Sequence, residues 1–229
     1  MHLKKLFATT TALLLLCAVQ ALHADDKHSD AEVLLLETNH LKKITKPAAL
    51  HYRFVKAGSM EDGFTDSVDI FIDKIRSNGA KSVSANYLNG KNHINFPPVE
   101  ETEKGGNPVI LYFLERDIRE MKRLTGGGII YFRKRIRINL ADNAEVRPVK
   151  FAFGGREVKG KEIKITPYEN DQLKERFGKH VGKYYVFTLS DDVPGQVFQV
   201  RCVTPDPQAG GKQPLIEETL TFSEIGKKG

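Results

Sequence analysis

Apolar and polar residues alternate with a period of two in several parts of the chain, most clearly at residues 50–55 and 67–73. Such alternation is typical of β-strands that bury one face. Turn signals such as Asn89-Gly90 separate these runs, and tight turns can join only antiparallel neighbours. The pattern therefore predicts eight or nine strands arranged in consecutive hairpins.

A helical period interrupts the strands at residues 107–125. Asn107 can cap the free amide groups there, Pro108 suits the first helical position, and three glycines from Gly126 onward end the segment. The residues predicted on its apolar face are Ile110, Phe113, Leu114, Ile118 and Met121, and those on its polar face are Glu115, Arg116, Arg119 and Lys122. The segment is therefore predicted to be an amphipathic helix that packs on the sheet.

Residues 129–140 fit two patterns, because their apolar positions suit a helix and the last of them also suit a strand. We favour the helix and keep the strand as the alternative. A short helix is expected at residues 170–177. Together these elements predict an α+β fold, with a mainly antiparallel, curved, half-barrel-like sheet and one long helix and one or two short helices packed on one face.

The amino-terminal 24 residues have the order of a secretory signal peptide. Lys4 and Lys5 precede an apolar run at residues 6–22, and Ala24 supplies a small residue at the predicted cleavage point. We therefore expect residues 1–24 to be removed and residues 25–229 to form a single domain. That domain is expected to be periplasmic or secreted, as a protein of the bacterial envelope.

Composition excludes several classes of protein. Lys4 and Lys5 are the only charged residues among residues 1–24, which leaves 33 basic and 29 acidic residues in the predicted mature chain. This excess is too small to indicate nucleic-acid binding. Cys202 is the single cysteine outside that leader, so an internal disulfide is excluded and the core depends on apolar packing.

No catalytic or metal-binding pattern survives comparison with its required context. Residues 155–161 fit the first seven places of a phosphate-binding loop, but Glu162 stands where Ser or Thr is needed and a strand pattern follows. Cys202 shares an apolar face with Phe198, so we interpret it as a core thiol rather than a nucleophile paired with His180. Histidines at metal-ligand spacing are missing. We predict no catalytic residue, no metal, no cofactor and no enzymatic activity.

The segment at residues 131–137 is chemically unusual because four cations fall within five positions beside two aromatic residues. Its residues are Tyr131, Phe132, Arg133, Lys134, Arg135, Ile136 and Arg137. One interpretation is a solvated face that pairs with acidic residues elsewhere. The other is binding of an anionic lipid or polymer surface, with Tyr131 and Phe132 entering a membrane while the four cations hold phosphate head groups.

The first functional hypothesis is a non-enzymatic binding module or carrier for an apolar or amphiphilic envelope ligand, such as a lipid or lipoprotein. Its pocket would lie between the curved sheet and the 107–125 helix. The candidate walls are Phe54, Ile70, Phe113, Phe151, Phe187 and Phe198. This arrangement resembles the half-barrels of periplasmic lipoprotein carriers, and the resemblance implies an amphiphile as the partner.

Two alternatives remain at the sequence level. The protein could be a structural or interaction protein of the envelope that docks a partner through a strand edge or the 131–137 basic face. It could also be an envelope hydrolase without a recognisable motif. The expected partners are a lipid or amphiphile, an envelope protein or an anionic membrane surface, and the oligomeric state is left open.

Overall fold

The structure is a computed structural model that describes residues 28–101, 105–208 and 213–227. The predicted signal peptide, residues 1–24, lies outside these ranges. The strands within them are β1 (Ala48–Ala57), β2 (Phe64–Ile75), β3 (Lys81–Tyr87), β4 (Val99–Glu101), β5 (Glu145–Phe153), β6 (Arg156–Ile165), β7 (Tyr184–Leu189), β8 (Val197–Thr204) and β9 (Ile216–Gly226). The helices are α1 (Asp30–Glu32), α2 (Pro108–Thr125) and α3 (Ile129–Asp142), with a π-helical turn at Val33–Glu37 and 3₁₀ turns at Gly90–Asn92 and Lys174–His180.

The nine strands form one open, curved sheet in the order β4-β3-β2-β1-β9-β8-β7-β6-β5. Every neighbouring pair of strands is antiparallel. Two consecutive meanders, β1 to β4 and β5 to β9, are joined where the first strand pairs with the last. The predicted α+β class with a mainly antiparallel curved sheet is therefore confirmed.

The alternation of apolar and polar residues gives the sheet one face that is buried in the core and one that is more exposed. In β1, the side chains of Leu50, Tyr52 and Phe54 are buried while Arg53 between them is exposed. In β2, Ile70 and its neighbours two positions away are buried in the same way. Burial of one face gives each strand a fixed register, because a slip of one residue would move its apolar side chains into water.

The helical segment connects the two edges of the sheet. The chain leaves the sheet at edge strand β4, forms α2 and α3, and re-enters at the opposite edge strand, β5. The side chain of Asn107 caps α2 by accepting a hydrogen bond of 2.9 Å from the backbone N–H of Val109. Gly126, with φ of 72°, ends the helix in the left-handed conformation, where glycine is favoured.

Residues 129–142 form helix α3, so the favoured interpretation of the ambiguous segment is correct. Phe132, Ile136 and Leu140 are buried on its inner face, at the spacing of four residues that one side of a helix requires. At Gly127, in the linker before α3, a Cβ atom would lie 2.4 Å from the ring of Phe132, so a larger residue there would force that ring to move.

The core is continuous between the buried sheet face and the inner faces of α2 and α3. Its largest fully buried side chains include Phe54, Phe113, Phe132 and Phe187. Among the described residues, no helix combines the length and the apolar character that crossing a membrane would require.

Candidate functional site

The outer face of α3 carries the cations that the sequence singled out. Arg133, Lys134 and Arg137 are exposed there. They follow Ile130, an isoleucine whose side chain is 80% exposed. Because 3.6 residues make one helical turn, these four positions form a single stripe on the side opposite Phe132.

The structure separates the predicted anionic-surface residues into two groups. Phe132 is fully buried, and the Tyr131 hydroxyl donates a hydrogen bond of 2.6 Å to Asp171, the residue that also pairs with Arg135 at 2.5 Å. Phe132 therefore faces the core, whereas Tyr131 is half-buried with its hydroxyl held by Asp171. Ile130 is the apolar residue that projects outward instead.

The three exposed cations of the stripe differ in their ion pairs. Arg133 forms a bidentate pair with Glu115 of α2, with both nitrogen–oxygen distances 2.7 Å. Among the described residues, Lys134 and Arg137 have no carboxylate within salt-bridge distance. These two cations are therefore available to an external anion.

A shallow depression of about 520 Å³ lies along this stripe. Its lining includes the apolar side chains of Ile130, Ile138 and Ala141 together with Arg133, Lys134 and Arg137. Glu32 is the acidic residue at its edge, and its carboxylate accepts a hydrogen bond of 2.9 Å from the backbone N–H of Ser29 in the cap of α1.

A narrower crevice of about 260 Å³ lies between α2, α3 and the π-helical turn. Its walls are mainly aliphatic. The apolar residues that line it are Leu36, Leu111, Leu114, Ile118, Ile136 and Leu140. Glu115, Arg133 and Arg137 complete the lining, so cations shared with the outer stripe stand beside an apolar cavity.

The six predicted pocket walls occupy other positions. Phe54, Ile70, Phe113 and Phe187 lie fully buried in the core, where they pack against neighbouring side chains. Phe151 and Phe198 are half-buried, with their rings stacked at a centroid distance of 4.3 Å. The crevice between α2 and α3 is lined by none of these six residues.

A buried ionic cluster, which was not predicted from the sequence, lies beneath α2. The Asp117 side chain is 1% exposed; it accepts hydrogen bonds of 2.6 Å from the Lys183 ammonium and 2.5 Å from the Tyr185 hydroxyl. Arg116, which the sequence analysis placed on the polar face, is also buried and pairs with Glu218 of β9. One signal was present: Asp117 is four residues after Phe113 and so falls on the apolar side of the helix.

Burial and charge act in opposite directions on this cluster. Burial alone would raise the pKa of the Asp117 carboxyl, but the Lys183 ammonium, the Tyr185 hydroxyl and the Arg116 charge together hold that pKa below its ordinary value. Burial, and then the Asp117 charge, raise the pKa of the Cys202 thiol well above its usual range. Cys202 is therefore a protonated core thiol at neutral pH and a poor nucleophile.

His40 marks a second region, beside the ion pair between Lys43 and Asp191. Clefts of about 560 Å³ and 450 Å³ both reach His40, yet its side chain is only 1% exposed. Neither of its ring nitrogens has a well-formed hydrogen bond among the described residues. Burial lowers the pKa of His40 to about 4, and the Leu34 backbone offsets this only in part.

This buried histidine predicts a loss of stability in weak acid. A group whose pKa is depressed by folding is protonated more readily in the unfolded chain, so its contribution is lost as pH falls from about 6.5 toward 4. From pH 7.5 to pH 5, we expect the free energy of unfolding to fall by about 2 kcal/mol through His40. His180, whose pKa burial also lowers, adds to the loss in the same direction. Urea unfolding at both pH values measures the effect.

His40→Leu is expected to remove most of that pH dependence, because no proton-binding site is left at the position. His28→Leu is the control, since the His28 side chain lies exposed near the amino-terminal end of the described chain. An acid sensitivity that His40→Leu leaves unchanged would show that other groups cause it.

The free edge of β5 is protected against strand addition. This strand pairs with β6 on one side, and it contains Pro148 between Arg147 and Val149. Proline removes a backbone donor, and charges on an edge oppose pairing with another chain. The residue pattern therefore disfavours docking of a partner strand at this edge.

In the described part of the chain, no three histidine, cysteine, aspartate or glutamate side chains are grouped so that they could hold a metal ion.

No protein-family model and no curated protein matches the sequence. Solved structures give distant matches. Lipoprotein LppX of Mycobacterium tuberculosis is 11% identical, the alignment covers 79% of this chain and 87% of that chain, and the TM-score is 0.36.

A LolA superfamily protein of Nitrosomonas europaea is 9% identical, with 83% of this chain and 90% of that chain covered and a TM-score of 0.23. At these TM-scores neither likeness supports a conclusion about function. The geometry of the crevice and of the α3 surface is therefore the basis on which function has to be inferred.

Proposed function

We propose that this chain is a non-enzymatic envelope protein that binds an amphiphile with an anionic head group in the crevice between α2 and α3. The observation that carries the proposal is the composition of that crevice, which has six aliphatic residues along its walls and Arg133 and Arg137 beside them. The envelope location rests on the signal pattern of residues 1–24.

The aliphatic walls suit a hydrocarbon chain. Small-molecule sites are concave and mostly apolar, with a few polar groups that orient the ligand. Each methylene removed from water contributes about 0.8 kcal/mol. The crevice, at about 260 Å³, lies just below the roughly 300–1,000 Å³ of sites for drug-sized ligands, so a single short acyl chain fits it better than a whole phospholipid.

The arginines beside the crevice favour an amphiphile whose head group is an anion. Arg133 is already engaged by Glu115, whereas Arg137 has no carboxylate partner among the described residues. A guanidinium group can hold a carboxylate or phosphate through two parallel hydrogen bonds. Arg137 is therefore the side chain to which the proposal assigns recognition of the head group.

The state of the buried ionisable groups supports binding over catalysis. Asp117 and Lys183 neutralise each other at 2.6 Å, and neither lines the crevice. Cys202 is protonated and enclosed. A hydrolase would need at least one such group to be accessible and poised near neutral pKa.

Leu111→Asp tests the crevice directly. Leu111 is 42% exposed and lies in the first half of α2, so a carboxylate there leaves the fold intact but stands beside the bound chain. We expect the dissociation constant for dansyl-undecanoic acid, measured by fluorescence titration, to rise at least tenfold. The methyl ester of the same probe is expected to bind more weakly than the acid to the unmodified protein, because it carries no head-group charge.

Leu173→Asp is the matched control, since Leu173 has the same 42% exposure and does not line the crevice. It is expected to leave probe binding unchanged. Equal binding of the probe by both variants would contradict the crevice as the site. Native mass spectrometry of protein purified from a periplasmic extract supplies an independent readout, in which an extractable added mass should be absent from the Leu111→Asp variant.

A further inference from the structure

The outer stripe of α3 has a composition that neither the core nor the crevice explains. Ile130 projects into solvent with 80% of its side chain exposed, although burying an isoleucine side chain normally stabilises a protein by about 1.5–3 kcal/mol. Lys134 and Arg137 lie on the same stripe without carboxylate partners among the described residues. We propose that this stripe, Ile130 to Arg137, docks the protein on a bilayer that contains anionic phospholipid.

Charge complementarity identifies the partner. The segment at residues 108–142 contains eight basic and four acidic residues. Two opposite charges among them, Arg116 and Asp117, are buried and paired with Glu218 and Lys183, so the basic excess is carried by the other residues of the segment. Each lysine or arginine near an anionic leaflet contributes about 1 kcal/mol of attraction.

The apolar part of the stripe distinguishes a bilayer from a soluble polyanion. Ile130, Ile138 and Ala141 line the depression between the cations, so that one isoleucine can enter the acyl boundary while Lys134 and Arg137 remain at the level of the phosphates. In such docking, α3 would lie along the membrane surface with its core-facing side turned away from the bilayer. One isoleucine and two or three cations give only a few kcal/mol together, which implies weak and reversible docking.

Docking would also place the crevice at the lipid surface. Arg133 and Arg137 line both the depression and the crevice, so the two cavities lie on either side of the same arginines. An amphiphile could then move between bilayer and protein without crossing water. This last step rests on the proposed function, whereas the docking itself does not.

Vesicle sedimentation tests the docking. Vesicles of phosphatidylcholine alone and vesicles with 30% phosphatidylglycerol are mixed with the full protein at two salt concentrations. We expect at least tenfold stronger binding to the anionic vesicles, and a loss of binding at high salt because the attraction is screened. The double variant Ile130→Asp with Lys134→Glu is expected to lose this binding at least tenfold.

The matched control is Ile225→Asp with Lys227→Glu. It makes the same two changes at the end of β9, where Ile225 is 45% exposed. The control is expected to bind anionic vesicles like the unmodified protein. Equal loss in both double variants, or equal binding to neutral vesicles, would overturn the proposal. Binding to heparin as strong as binding to anionic vesicles would overturn it in favour of a soluble polyanion.

Membrane docking and ligand binding in the crevice can be tested independently of each other. Ile130 and Lys134 line the depression but not the crevice, so their double variant should still bind dansyl-undecanoic acid in solution. Leu111→Asp should still sediment with anionic vesicles. Loss of vesicle binding alone in the Ile130 and Lys134 double variant would support the docking proposal. Loss of probe binding alone in Leu111→Asp would support the crevice as the ligand site.

Discussion

Replacement of Lys183 by methionine is expected to lower the free energy of unfolding by about 3–5 kcal/mol at neutral pH, because it leaves a buried carboxylate without a counter-charge. Asp117 is 1% exposed, and water cannot replace the lost ammonium group. Urea unfolding followed by circular dichroism measures the effect. The loss should shrink as pH falls, since the unpaired carboxyl of Asp117 can then be protonated.

Two comparisons isolate the cause. Lys150→Met removes one partner of an exposed pair, Lys150 and Glu157, whose side chains are 61% and 65% exposed, and should cost no more than about 0.5 kcal/mol. Asp117→Leu combined with Lys183→Met removes both charges and should recover most of the stability. A Lys183→Met cost as small as that of Lys150→Met would show that the pair is solvated in solution.

Phe132→Ala is expected to lower the free energy of unfolding by about 3–5 kcal/mol, since Phe132 is a fully enclosed aromatic side chain. The ring of Phe132 contacts the rings of Tyr168 and Phe177 at centroid distances of 5.8 Å and 6.0 Å, and its removal leaves a cavity under α3. Ile130→Ala, two residues earlier, should change stability by less than about 0.5 kcal/mol. Thermal and urea unfolding of both variants compares them directly.

The same two positions separate a structural role from a membrane role. Phe132→Leu keeps an apolar side chain in the core and should bind anionic vesicles like the unmodified protein, whereas Ile130→Ala should bind them less. The opposite result, with Phe132 needed for vesicle binding and Ile130 dispensable, would mean that α3 presents a different face in solution.

The strands and α2 could be predicted because a single local signal determines each of them. Leu50, Tyr52 and Phe54 repeat every second residue, and Asn107 and Gly126 mark the ends of α2 by their own chemistry. Helix α3 was harder, because its last apolar residues satisfy both periods. Phe132 and Ile136 already suited one face of a helix in the sequence, and the structure shows that both are buried on that face.

The buried ionic cluster depends on contacts between residues that are far apart in the sequence, so no local pattern could predict it. Asp117 and Lys183 are 66 residues apart in the chain, and Arg116 and Glu218 are 102 residues apart. The composition of the 131–137 segment was visible, but the direction of its side chains was not. The exposure of Ile130, one residue before that segment, follows from the rotation of α3 and was therefore missed.

The pairing of β1 with β9 also has a kinetic consequence. Among the described strands, this pairing supplies the backbone hydrogen bonds between the two halves of the sheet, and it brings Ala57 beside Glu217. Such distant pairings slow folding, because the entropy of closing a long loop is lost before any contact compensates for it. The sheet cannot be completed until β9 has left the ribosome, so the newly made chain stays incompletely folded until that strand has emerged.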